Sequence, residues 1–163
     1  MLRTIATISL LGVMLTFGPA AARYPAHVDR VVDGLYVGDA YAARRLRRGY
    51  DVVVYAAAEV QPRQAWDVPL LVRAHLSDVP RPSKKMLAEA VRAARVAYLR
   101  WAAGGRVLVT CGQGLNRSGL VAGLMLRMSG RSGAEAVRML RAARGRMALD
   151  RRAFERFVRE FKP

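Results

Sequence analysis

Residues 107–120, VLVTCGQGLNRSGL, limit what this chain can fold into more than any other stretch. A run of β-formers at 106–110 ends at Cys111, the only cysteine present. Gly112 and Gly114 keep the next segment small and flexible, and Arg117 follows six places after the cysteine. Past Ser118 and Gly119 the sequence turns apolar again, through Leu120, Val121, Leu124 and Leu126. This order reads as strand, tight loop and helix (118–128), the helix apolar on nearly all sides and therefore central. Such a turn places Cys111 and Arg117 at the two ends of one loop, whose backbone amides can converge on an anion at a helix N-terminus. Gly112, Gln113, Gly114, Leu115 and Asn116 then form the wall of a phosphate cradle, with Cys111 in its floor.

The flanking chain predicts an α/β framework around that loop. A chain of 163 residues and 18.0 kDa suits one domain, here 28–163, since a domain of that size buries roughly 70% of its unfolded surface. Val31, Val32, Leu35, Tyr36 and Val37 surround an Asp33-Gly34 turn signal and predict a short two-stranded element. Residues 40–48 predict a short helix stopped by Gly49. DVVVY at 51–55 is a β-branched run suited to a strand covered on both faces of a parallel sheet, and 70–75 is a further strand. Two prolines make 76–82 a loop.

Ser83 is placed as the N-cap of a helix in which Leu87, Ala90, Val91, Ala94, Tyr98 and Trp101 recur at helical spacing. Ser132 and Glu135 form a capping box that opens a helix running to Arg144. Asp150 is expected to cap the last helix, whose Phe154, Phe157, Val158 and Phe161 make one apolar stripe. Strands alternating with helices predict a central, mostly parallel sheet flanked by helices. The cradle falls at the carboxyl end of a central strand, where such sheets bind ligands.

The chain carries 25 arginines and 3 lysines against 12 acidic residues, a formal charge of +16. Such a surface attracts anionic partners, among them phosphoproteins, nucleic acid and acidic lipid. Arg44, Arg45, Arg47, Arg48, Arg92, Arg95, Arg138 and Arg141 fall on predicted helix faces as solvated charge would. No stretch interleaves aromatics with basic residues as a nucleic-acid stacking platform does. With so many arginines, the six-residue spacing from Cys111 to Arg117 carries little weight alone. The strand before it, the glycines within it and the buried helix after it carry the reading.

One cysteine excludes an intramolecular disulfide and cysteine-rich zinc sites, and His27 and His75 have no metal-ligand spacing. Residues 1–22 stand apart from the fold. Arg3 precedes an apolar run from Ile5 to Phe17, followed by Gly18, Pro19 and three alanines. The run falls short of the about 20 residues of a membrane span and reads as a secretory signal, an uncleaved N-terminal anchor or the product of a misplaced start codon. A true start at Met1 predicts export to the periplasm or cell envelope, and a later start a cytoplasmic protein.

A thiol attacks only once ionised. The helix start at Ser118, the loop amides and the Arg117 guanidinium favour a thiolate, and the same groups favour a phosphate dianion. Arg117 can hold two phosphate oxygens in a fork, leaving Cys111 to attack in line and form a cysteinyl-phosphate that water later removes. The leaving oxygen needs a proton, and Asp78, in the loop LSDVPRP, is the candidate acid. As a carboxylate it can then activate water, while Ser118 donates to the departing sulfur.

Together these residues resemble the dual-specificity branch of the cysteine-based protein tyrosine phosphatases over most of residues 30–160. DGLYVGDAYAA is similar to the family's opening strand pair, DVVVYAA to its next core strand, LSDVP to its general-acid loop, and VLVTCGQGLNRSGLVAGL to its signature loop and helix. Asp78 lies 33 residues before Cys111, a separation typical of the family. The resemblance implies Cys111 as nucleophile, Arg117 as phosphate clamp, Asp78 as general acid, Ser118 as assistant to thiolate departure and Asn116 as support for the loop. It also implies that no metal or organic cofactor is needed, and the chain is expected to be a monomer. Its substrate would be a phosphorylated protein or a small phosphate monoester, phosphotyrosine first, with phosphoserine and phosphothreonine open.

Two departures carry information. Thr110 stands where family members usually have a histidine that orders the loop, which predicts reduced activity, although a threonine hydroxyl can still join the network. The loop has no lysine or second arginine between Cys111 and Arg117, unlike similar phosphoinositide phosphatases, which predicts a monophosphate ester as substrate. A phosphate-binding pseudophosphatase and an RNA 5′-phosphatase are the alternatives, motivated by Thr110 and by the basic charge.

Overall fold

The computed structural model describes residues 27–45, 48–62 and 68–163, so the reading of 1–22 lies outside the described residues. Gly34 adopts a left-handed φ of 72°, and the Asp33-Gly34 turn joins β1 (Val28–Val32) to β2 (Leu35–Gly38) as an antiparallel pair. Then follow α1 (Ala40–Arg45), β3 (Val52–Tyr55), a 3-10 turn (Ala58–Val60), β4 (Leu70–Arg73), α2 (Lys84–Ala102) and β5 (Val107–Thr110). Three helices complete the chain: α3 (Arg117–Met128), α4 (Gly133–Arg144) and α5 (Arg152–Glu160). The strands form one sheet in the order β1-β2-β5-β3-β4, parallel at every pair except β1 with β2. The mostly parallel sheet expected from the alternation is present, with β5 at its centre.

Every residue of β3 and β5 is buried. Val52, Val54, Val107 and Val109 enter the main core with α2, α3, α4 and α5, whereas Val53, Tyr55 and Leu108 meet Ala43 of α1 on the opposite face. A strand covered on both faces has no place for alternating polar side chains, which is why these runs read as continuous β-branched and aliphatic stretches. Each such buried side chain contributes about 1.5–3 kcal/mol of transfer free energy. Helix α3 is buried at every position from Ser118 to Leu126, as its all-round apolarity requires. Among the described residues, no helix is long and apolar enough to cross a membrane.

Local signals set most of the ends. Ser83 Oγ accepts the Met86 amide at 3.2 Å to open α2. Ser132 Oγ accepts the Glu135 amide and Glu135 Oε2 accepts the Ser132 amide, the reciprocal box that opens α4. The last helix departs from expectation. Arg151, not Asp150, is its N-cap residue, and no side chain caps it. Leu149 takes a left-handed φ of 55°, and Asp150 is left exposed. Arg141 also departs from the solvated role. Its guanidinium is half-buried, donating to the carbonyls of Ala148 and Leu149 and to Glu155 Oε2.

Candidate active site

The site is assembled where the carboxyl ends of three parallel strands meet. Strand β5 hands its last residue, Thr110, to a loop that closes at once on the β2 end: the Cys111 amide donates to Gly38 O at 3.3 Å, and the Ala40 amide donates to Gly112 O at 3.1 Å. Gly114 has a φ of 71°, and a Cβ there would collide with Arg144 Nη2 and lie 2.7 Å from Gly38 O. No residue with a side chain fits without moving the backbone.

The Cys111 thiol is buried, at 2% exposure. The Gly114 amide donates to its sulfur at 3.2 Å, and Ser118 Oγ lies 3.3 Å away. Two hydrogen-bonding groups thus converge on one sulfur. The amides of Gly112, Gln113, Leu115 and Asn116 have no intramolecular acceptor among the described residues. These are the donors an anion would take up.

Arg117 begins α3 with its side chain 13% exposed. Nη1 donates to Glu59 Oε1 at 2.5 Å and to Leu76 O at 3.2 Å. Nε is buried without a partner among the described residues, and a Cβ built on Gly112 would lie 3.1 Å from Nη2. One side of the guanidinium is therefore held by protein, while the Nε–Nη2 edge, which can bind two oxygens side by side, has no hydrogen-bond partner among the described residues.

Asp78 is not alone in its loop. Its Oδ1 accepts from Arg151 Nε at 2.8 Å, and the Arg151 amide donates to Asn116 Oδ1 at 3.2 Å. Asp78 is thereby tied through one arginine to the wall of the cradle. Asn116 thus accepts a bond from the chain that enters α5, Leu115 O accepts the Leu149 amide at 3.4 Å, and Gln113 is exposed.

Several residues outside the sequence-derived set complete the surroundings. Arg144, 3% exposed, donates from Nε to Gly114 O at 3.0 Å, from Nη2 to Gln113 O at 2.9 Å and from Nη1 to Asp29 Oδ2 at 2.6 Å. It staples the back of the loop to β1. Thr110, fully buried, accepts from Gln61 Nε2 at 2.6 Å and donates to Val54 O at 3.2 Å. The only advance signal for Glu59 and Gln61 is their position just after β3, whose parallel pairing with β5 brings the two strand ends together. Arg144 had none beyond ending the capping-box helix. Among the described residues, no three His, Cys, Asp or Glu side chains gather as a metal would require.

No protein-family model matches the chain, and no curated protein matches it in sequence. Solved structures do match. Human DUSP28 is 26% identical over 83% of this chain and 95% of its own, with a TM-score of 0.71. A mouse protein assigned as a dual specificity phosphatase, complexed with zinc tungstate, is 25% identical over 89% and 93%, with a TM-score of 0.69. OH1 from the Orf virus, described as a tyrosine phosphatase with triple substrate specificity, is 22% identical over 87% and 89%, with a TM-score of 0.64. In architecture the chain is similar to solved dual-specificity phosphatases, the branch of the cysteine-based protein tyrosine phosphatases that its sequence resembles.

Proposed function

We propose that the protein is a cysteine-dependent phosphatase that hydrolyses phosphate monoesters, phosphotyrosine first and phosphoserine or phosphothreonine as further substrates. The observation that carries this reading is the convergence of the Arg117 Nε–Nη2 edge and the loop amides, without intramolecular acceptors among the described residues, around a sulfur already facing two hydrogen-bonding groups. The likeness to the mouse and Orf virus phosphatases supports the same chemistry.

In this reading the Cys111 sulfur attacks phosphorus, the S–P bond forms, and the ester P–O bond breaks with its electron pair on the leaving oxygen. Asp78 supplies the proton that oxygen needs. Arg117 and the loop amides hold the equatorial oxygens throughout. Asp78, now a carboxylate, takes a proton from water, whose oxygen attacks phosphorus. The S–P bond breaks, and Ser118 donates to the sulfur that takes back the electron pair.

The test is hydrolysis of p-nitrophenyl phosphate and of phosphotyrosyl and phosphoseryl peptides in the presence of EDTA. Turnover that survives the chelator and disappears in Cys111→Ser is expected. Metal-dependent turnover, or full activity in that variant, overturns the proposal. A second reading, phosphate binding without turnover, draws on the ion pair that occupies Asp78 and on Thr110 in place of histidine. It predicts that a phosphopeptide binds and is released intact.

A further inference from the structure

The segment just beyond β3 does two things at once. The Ala56 amide donates to Thr110 O at 2.8 Å, the Ala58 amide donates to Ala74 O at 3.2 Å, and Ala57 forms an antiparallel bridge with His75. The short turn is thus fastened to β5 on one side and to the chain beyond β4 on the other. From it project Glu59, which meets Arg117 Nη1, and Gln61, which meets Thr110 Oγ1. Gln61 is itself fixed, 7% exposed, with Oε1 accepting the Ala57 amide at 2.9 Å.

We propose that the turn at 57–61 is a positioning clamp that grips both ends of the cradle, Gln61 fixing the residue before Cys111 and Glu59 fixing the rotation of the Arg117 guanidinium. This rests on the phosphatase reading for the roles of Cys111 and Arg117.

A guanidinium on a flexible stem can present any of its edges to a ligand. With Nη1 held by Glu59 and by Leu76 O, only the Nε–Nη2 edge remains, so the arginine is oriented before an anion arrives. At the other end, the Thr110 side chain occupies the position that a histidine fills in similar proteins. Its hydroxyl is pinned between Gln61 Nε2 and Val54 O, so the strand end from which Cys111 projects cannot rotate without breaking a buried hydrogen bond. A glutamine in the turn here does the ordering that the imidazole would do from within the strand. Because Glu59 and Gln61 share one turn, slack introduced at either side chain reaches both ends of the loop.

The two side chains differ in exposure, and that separates their tests. Glu59 is 47% exposed, so its removal leaves no buried orphan beyond the released arginine nitrogen. Glu59→Ala, Glu59→Gln and Thr110→Val are compared with the parent for orthovanadate binding by calorimetry, for kcat and KM with p-nitrophenyl phosphate, and for Tm. Glu59→Ala is expected to weaken orthovanadate binding and lower kcat/KM about 10- to 100-fold, as misplacing a positioned group does, with Tm nearly unchanged. Glu59→Gln, which keeps an acceptor oxygen, recovers most of that loss. Thr110→Val, isosteric but without the hydroxyl, lowers kcat more than it raises KM.

Orthovanadate affinity and kcat/KM at the parental level in Glu59→Ala, or equal losses in the Ala and Gln variants, overturn the clamp at Arg117. Parental kcat in folded Thr110→Val overturns it at Cys111. Should Thr110→Val fail to fold, Gln61→Met is read in its place. If the parent binds orthovanadate but turns over nothing, the phosphatase reading falls while the clamp is still decided by the binding arm. If the parent binds no orthovanadate, both fall.

Discussion

Arg151 joins Asp78 to the cradle: its Nε donates to Asp78 Oδ1 at 2.8 Å while its own amide donates to Asn116 Oδ1 at 3.2 Å. The side chain is stabilised as a cation by that hydrogen bond and by the charge of Asp78, which raise its pKa. As the proposed proton donor, Asp78 needs the pair to open or loosen during each turnover. Asp78→Asn is expected to slow turnover about 10²- to 10⁴-fold on phosphoseryl peptides and far less on p-nitrophenyl phosphate, whose leaving group needs little help. Arg151→Ala should reproduce the same pattern more weakly by letting the acid loop wander. The double variant should be no worse than Asp78→Asn alone, because both changes act through one carboxyl. A leaving-group series on the three variants checks this.

Removing Arg144 should cost stability. It is buried against the carbonyls of Gly114 and Gln113 and against Asp29. Arg144→Met keeps much of the volume but strands those acceptors, and breaking a buried pair from one side costs about 3–5 kcal/mol. Urea denaturation of Arg144→Met beside Arg138→Met, an exposed position on the same helix, should show the loss in the first and almost none in the second.

The two glycines of the loop should separate folding from binding. Gly114→Ala places a Cβ 2.7 Å from Gly38 O at a left-handed φ, and the conformation alone costs about 1–2 kcal/mol. A clear drop in Tm is expected. Gly112→Ala meets only Arg117 Nη2, at 3.1 Å. That variant should keep its Tm and lose orthovanadate affinity, measurable as a raised inhibition constant.

Glu155 sets a pH dependence. Burial alone would raise its pKa, but the hydrogen bonds and charges of Arg159 and Arg141 outweigh it and bring the group below its ordinary 4.5. A lowered folded-state value means that the stabilisation is present above 4.5 and is lost as pH falls through the folded value. Glu155→Gln should therefore have a lower Tm than the parent at neutral pH, and the gap should close on acidification. A gap that widens in acid would contradict the assignment.

The strand, loop and helix around Cys111 were readable because each is dictated locally: β-branched run, glycines, then an apolar helix. Ser83, Ser132 and Glu135 were readable for the same reason, since a cap and its partner lie within one turn. Asp150 misled because a cap also depends on the path of the preceding chain, and the left-handed Leu149 alters that path. Gln61, Glu59 and Arg144 escaped because their partners lie 49, 58 and 30 residues or more away. Nothing in a single sequence distinguishes Arg144 from the solvated arginines around it until α4 is laid against β1. Thr110 was visible as a departure, whereas the glutamine that answers it lies in a turn without a motif.

The placement of β5 between β2 and β3 also governs how the molecule must fold. Gly38 and Tyr55 both pair with Thr110 across parallel ladders, so the central strand gains its neighbours only from segments distant along the chain. Neither ladder can nucleate as a hairpin, and both require closure of a long loop first. Such topologies fold slowly. Cys111, the sole cysteine, follows directly on that strand, so its burial waits on the closure of both ladders.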